Sequence, residues 1–205
     1  MQFRITTFGP SETAEITGAS TMDQRNWRRR EFIPSDAGGH ARFNLFDLLR
    51  FTFVADMGGL GIGPTDAFPS SEWVAHHALF YALAVDGIVE GSANEIAERE
   101  AGMPPREPVE GRAAELRHLE DRLGQARRIA KVAFARPSIL PVPMATIWPD
   151  GTDLFGRDAA DVEAHLSPDD PRRGQPAITI QLPAFARRVV SRLPRSPVAC
   201  VPEGD

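Results

Sequence analysis

Apolar and polar positions change rhythm several times along the chain, and each change marks an element. Residues 1–9 alternate loosely, with Phe3, Ile5 and Phe8 apolar, which predicts a short strand or arm. Pro10 and Ser11 then mark a helix start. Ser11 is the expected N-cap, Glu12 lies in the first turn, and SETAEITG runs to Gly18, a residue suited to ending a helix. A second helix follows, capped by Ser20 or Thr21 and favoured by Asp23 at its N-terminal end. It continues as MDQRNWRRREFI until Pro34 breaks it.

In SDAGGHAR, Gly38-Gly39 suits a tight hairpin whose second strand closes at Phe43. Asn44 can cap a third helix, LFDLLRFTFVADM, with Leu45, Leu48, Leu49, Phe53 and Val54 at helical spacing. Gly58, Gly59, Gly61 and Gly63 mark a loop, and Pro64 suits the first position of a further short helix.

From Ser71 the pattern becomes almost wholly apolar. EWVAHHALFYALAVDGIV predicts a buried helix, NEIAERE a polar one, and GMPPREP a break. Residues 109–135 form the longest helical pattern, with a stripe of Leu116, Leu119, Leu123, Ala126, Ala130 and Ala133 and an outer face of mixed charge. That stripe can pack within the chain or across a dimer. In the last part, MATIW, Asp150-Gly151 and TDLF read as a hairpin and DAADVEAHL as a short helix. Residues 167–176 read as a polar loop, AITIQL as a strand, PAFARRVVSRL as a final helix, and the tail after Pro194 as disordered.

The expected fold is therefore mostly α, in three parts. Residues 1–68 form a winged helix-turn-helix unit, 71–136 a helical region with a long helix able to dimerise, and 137–205 a small α+β region with a disordered tail.

Composition adds constraints. The chain is 42% hydrophobic and 25% charged, enough to bury a core. No apolar stretch is long enough to span a membrane, and the N-terminus lacks a secretory layout, so a cytoplasmic location is expected. The lone Cys200 excludes an internal disulfide and a cysteine-based zinc site. His76 and His77 occupy adjacent helical positions that diverge by about 100°, a poor geometry for sharing one ion. Asp150, Asp153, Asp158 and Asp161 follow no metal or glycosidase spacing, and the chain has no Gly-x-Ser-x-Gly, phosphate loop or zinc-protease motif. No catalytic residues, cofactor or metal are expected, and the chain is not read as an enzyme.

The net charge of −5 hides an asymmetry, because the first fifty residues carry seven arginines against six acids. Four of those arginines fall between Arg25 and Arg30, and Lys131 is the chain's single lysine. A helix that enters a major groove needs one donor-rich face and one apolar face. Met22, Trp27, Phe32 and Ile33 are expected on the buried side. Thr21, Gln24, Arg25, Arg28 and Arg29 are expected to face DNA, with His40 and Arg42 of the hairpin reaching the flanking backbone or minor groove.

Residues 11–67 resemble the MerR-type winged helix-turn-helix, which excisionase-like proteins share. The resemblance rests on Thr17-Gly18-Ala19-Ser20, Arg25-Asn26-Trp27, Phe32-Ile33-Pro34, Gly39-His40-Ala41-Arg42-Phe43, Asp47-Leu48 and Leu60-Gly61-Ile62-Gly63. Arg25 matches the recognition-helix arginine of that pattern and Trp27 its second aromatic. The chain departs from it at Asp23, a small hydroxyl position, at Arg28, an acidic one, and at Glu31, a glycine one. The resemblance implies a bacterial or phage transcriptional regulator that binds a pseudo-palindromic operator in double-stranded DNA as a homodimer. RNA polymerase is a further expected partner, and the effector is unspecified. Two other readings stay open. One is an architectural factor of the excisionase or phage packaging type, and the other is a module whose arginine-rich helix binds an acidic protein.

Overall fold

The computed structural model describes residues 2–34, 41–91, 111–137 and 139–201. Among them are seven helices: α1 (Pro10–Thr17), α2 (Thr21–Arg29), α3 (Leu45–Gly59), α4 (Pro64–Leu83), α5 (Arg112–Ala133), α6 (Ala159–His165) and α7 (Leu182–Val190). Six strands accompany them: β1 (Gln2–Ile5), β2 (Val89–Glu90), β3 (Met144–Ile147), β4 (Asp153–Gly156), β5 (Ile178–Gln181) and β6 (Val198–Val201). They form two three-stranded sheets in the orders β1-β6-β2 and β4-β3-β5. The protein is thus mostly α with small sheets. No helix among the described residues is long and apolar enough to cross a membrane.

The centre of the fold is α3 packed on α4. Asn44 starts α3 as expected, its side chain accepting from the N–H groups of Phe46 (2.9 Å) and Asp47 (3.2 Å), while Asp47 accepts from the N–H of Asn44 (3.0 Å). Leu45, Phe46, Leu48, Leu49, Phe51, Phe53, Val54 and Met57 are all buried, so α3 is enclosed nearly all round. α7 lays Leu182, Phe185, Ala186 and Val189, an i, i+3, i+4, i+7 stripe, into the same core, where it meets α4. Ala126, Ile129 and Ala130 of α5 are buried, and Leu123 and Ala133 pack against the same core. That end of the stripe is therefore used within the chain. The side chains of Leu116 and Leu119 lie outside the described part, as do NEIAERE and GMPPREP.

Three expectations give way. α4 is one helix through Pro69 and ends at Leu83, where a short helix and a separate one over 72–90 were expected. The expected division between residues 68 and 71 consequently falls inside a helix, and a single core runs from Phe8 to Val198. Residues 195–201 of the tail expected to be disordered are ordered. Val198–Val201 pairs antiparallel with β1 (Gln2 opposite Val201, Ile5 opposite Val198) and parallel with β2. Short β-branched runs flanked by proline are poor signals until a partner strand is known.

The hairpin of β3 and β4 and the strand β5 form as read from sequence. The hairpin turn seats on the start of α4, where Ser70 Oγ donates to the carbonyl of Gly151 (3.0 Å). Gly151 has φ +81°, and a Cβ there would stand 2.8 Å from the Asp66 carbonyl oxygen, so only glycine fits. Asp158 caps α6 by accepting from the N–H of Asp161 (2.8 Å).

The two histidines of α4 hold the segment that leads into β3. His76 Nε2 donates to the carbonyl of Pro137 (3.1 Å), and His77 Nδ1 accepts from the N–H of Val142 (3.2 Å) while its ring stacks on Phe155. Burial, with a smaller contribution from neighbouring His76, pushes the His77 pKa down from 6.5 to about 4. A depressed histidine pKa means that the neutral ring is favoured in the folded state. The resulting stability is complete above pH 6.5 and is lost as pH falls towards 4. Glu12 and Asp170, both held at about 2, lose their contribution as pH falls from 4.5 and 3.8, respectively, towards 2. Urea midpoints should therefore fall between pH 7 and pH 4.5 by the equivalent of about 2 kcal/mol. His77→Gln should flatten that dependence, and an equally steep profile in the variant would show that the histidine is not its source.

Candidate nucleic-acid interface

α1 and α2 are joined by Gly18, Ala19 and Ser20. α1 starts one residue earlier than expected. Gly9 is its N-cap, Pro10 fills the first position, and Glu12 reaches back to accept from the Gly9 N–H (3.0 Å). Ser11 is therefore inside the helix rather than its cap, because proline with its fixed φ suits the first turn. Gly18 ends α1 in the left-handed region (φ +78°), with its N–H donating to the Ala14 carbonyl (2.9 Å). Ser20 caps α2 by accepting from the Asp23 N–H (3.1 Å), and Asp23 in return accepts from the Ser20 N–H (3.0 Å) and hydroxyl (2.6 Å). The carboxylate of Asp23 is thus engaged at the helix start.

Two buried side chains set the orientation of α2. Gln24 is fully buried, and its amide donates to the carbonyls of Pro10 (3.0 Å) and Ala19 (2.9 Å), tying α2 to the start of α1 and to the turn. Trp27 lies against Phe51 of α3 (centroids 5.5 Å apart) and edge-on to Phe68 of α4 (5.2 Å). The helix closes with the Glu31 N–H donating to the Arg28 carbonyl (3.0 Å) and the Phe32 N–H to that of Trp27 (2.9 Å). This Schellman closure places Glu31 at φ +62°, the left-handed position usually given to glycine, and stacks Phe32 on Phe68 at 4.9 Å.

With Gln24 and Trp27 inside, the outward stripe of α2 is Met22, Arg25, Asn26 and Arg29. Two expectations are corrected here. Gln24 does not face a groove, since it is fully buried with its amide nitrogen donating to two backbone carbonyls. Met22, expected inside, is 60% exposed. Asn26 was not singled out from sequence, yet it lies half-buried at the edge of the outer face with an amide that makes no hydrogen bond within the described chain. Thr21 is half-buried at the helix start, Arg25, Arg29 and Arg30 are exposed, and Arg28 is half-buried with its Nε unpartnered.

Among the described residues, none of Arg25, Arg28, Arg29 or Arg30 makes an ion pair or a side-chain hydrogen bond. Several arginines elsewhere are ion-paired. Arg122 pairs with Asp86 (2.5 Å), Arg136 with Glu72 (2.6 Å), Arg172 with Asp170 (2.7 Å) and Arg188 with Asp56. His40 and the Gly38-Gly39 turn lie outside the described residues. Beyond them, Phe43 makes an antiparallel bridge with Phe8, donating and accepting at 3.0 and 2.8 Å, and Arg42 beside it is exposed.

The far end of the chain braces α1. Arg192 donates to the Ile16 carbonyl in the last turn (3.1 Å). Arg195 donates to Glu12 and to the Thr7 carbonyl (3.2 Å) and lies over the Phe8 ring. The Arg195 hydrogen bond, the Gly9 N–H and the charges of Arg195 and Arg42 together hold the Glu12 carboxyl at about 2.

No family model, curated protein or solved structure matches the chain. The interface therefore stands on its own geometry.

Gln24→Ala should lower unfolding stability by about 2 kcal/mol in urea titrations, through a cavity and two lost hydrogen bonds. Glu31→Gly should raise it by about 1 kcal/mol by relieving the left-handed strain. A neutral Gln24→Ala would mean that this side chain does not join the helices.

Proposed function

We propose that the protein is a sequence-specific DNA-binding regulator whose α2 enters the major groove of an operator, acting as a dimer on a pseudo-palindromic site. The supporting observation is the group of Arg25, Arg28, Arg29 and Arg30, on and just after α2, none of which has a partner among the described residues, whereas seven arginines elsewhere are ion-paired. Like charges this close repel, and phosphate oxygens or guanine edges are the natural counterpart for their forked donors. A helix such as α2 is about 10–12 Å across with its side chains, which fits a major groove about 12 Å wide. Gln24 and Trp27 hold the helix from behind, which lets it present those donors in a fixed geometry. The rest of the chain is net acidic, so the arginines of this segment stand out as a basic cluster.

The expected partners are double-stranded DNA, a second copy of the chain and, at a promoter, RNA polymerase. Arg25, Arg28 and Arg29 are the contacts proposed from α2, with Thr21 at its start and Arg42, together with His40, from the segment after it.

Fluorescence anisotropy with labelled duplexes tests this. The Arg25→Ala, Arg29→Ala double variant should bind at least tenfold more weakly, since each good bidentate contact contributes about 1–3 kcal/mol. The dependence of log affinity on log salt should flatten by about 0.9 for each phosphate contact removed. Unfolding stability should stay within about 0.5 kcal/mol of the parent, because both side chains are exposed. Equal binding by parent and variant at every salt concentration would sink the proposal.

A further inference from the structure

We infer that Asn26 and Met22 are the specificity-determining residues of α2, Asn26 selecting an adenine and Met22 the methyl group of a nearby thymine. This rests on the DNA-binding reading above and adds which base pairs that helix chooses. Neither residue carries charge, so neither gains much from phosphate, yet both share the outward side of α2 with Arg25 and Arg29, Met22 exposed and Asn26 half-buried. Asn26 presents a donor and an acceptor with no partner in the described chain, the pair that the N7 and N6 of adenine match in the major groove. Met22 is one of the few large apolar side chains left exposed, at 60%. Water is a poor environment for it, whereas the thymine methyl is the apolar feature of the major-groove floor.

Their spacing fits one short stretch of duplex. Residues four apart on a helix are separated by about 6 Å along its axis. At roughly 3.4 Å per base pair, the adenine and the thymine should lie within about two pairs of each other. Arg28 and Arg30 flank the stripe, placed for the phosphates on either side. Asp23 does not intrude, since its carboxylate is tied back to Ser20.

Selection of binding sites from a randomised duplex pool with the full chain tests this, using the parent, Asn26→Ala, Asn26→Gln and Met22→Ala. The parent should enrich a motif with an adenine and a thymine within two pairs. Asn26→Ala should lose discrimination at the adenine by roughly tenfold, while Asn26→Gln retains it, since both amides can pair with adenine. Replacing the selected thymine by deoxyuridine removes only the methyl group. That change should weaken the parent roughly threefold and leave Met22→Ala unaffected. A parent motif that survives Asn26→Ala and ignores deoxyuridine would overturn the inference while leaving DNA binding intact. No enrichment of any duplex would overturn the DNA-binding reading and the inference with it.

Discussion

The position of α2 depends above all on the aromatic cluster around Trp27. Trp27 is wedged between Phe51 and Phe68, and Phe43 meets Phe51 edge-on at 5.0 Å. These rings come from α2, α3, α4 and the residue before Asn44, so four separate stretches of chain share one packing problem. Rings of this size in a close-packed interior tolerate little rotation. The outward face of α2 is therefore fixed by the core beneath it. Phe32, stacked on Phe68 after the helix closes, extends the same cluster and aims the chain towards the segment that leads to Arg42.

Polarity and accessibility diverge on α2, and that limits what its sequence reveals. The caps Asn44 and Ser20 were legible, because they act through their immediate neighbours, whereas the cap of α1 is Gly9 and not Ser11. The helices α3 and α7 and the β3–β4 hairpin, whose patterns are local, were legible too. Gln24 was not legible as a buried residue. A polar side chain can be enclosed when backbone carbonyls accept from it, and those of Pro10 and Ala19 become available only once α1 and α2 have met. The exposure of Met22 follows from the same register, since burying Gln24 and Trp27 turns residue 22 outward. The continuity of α4 through Pro69 and the pairing of β6 with β1 depend on partners distant in sequence, which spacing along the chain cannot supply.

The distribution of arginine partners separates two uses of one residue type. In the C-terminal half, Arg172 and Arg173 satisfy carboxylates and loop carbonyls around the small cluster of Met144, Trp148, Val162 and Leu166. There arginine acts as a cross-link between turns, and its charge is neutralised locally. On α2 the same residue is left with its donors unassigned. Composition alone cannot tell these uses apart, because arginine is almost the only basic residue in the chain.

The antiparallel pairing of β1 with β6 has a consequence for the order of assembly. Strands from opposite ends of the described chain form one ladder, and Arg192 and Arg195 just before β6 cover the end of α1 and its Glu12. Contacts so distant in sequence close the largest loops, and they form late because chain entropy must be lost before they contribute. On a ribosome that delivers the N-terminus first, α1 and α2 emerge long before their brace. The arginine face thus gains its final support only when synthesis has passed Val201, which ties the maturation of the first helices to the arrival of the last strand.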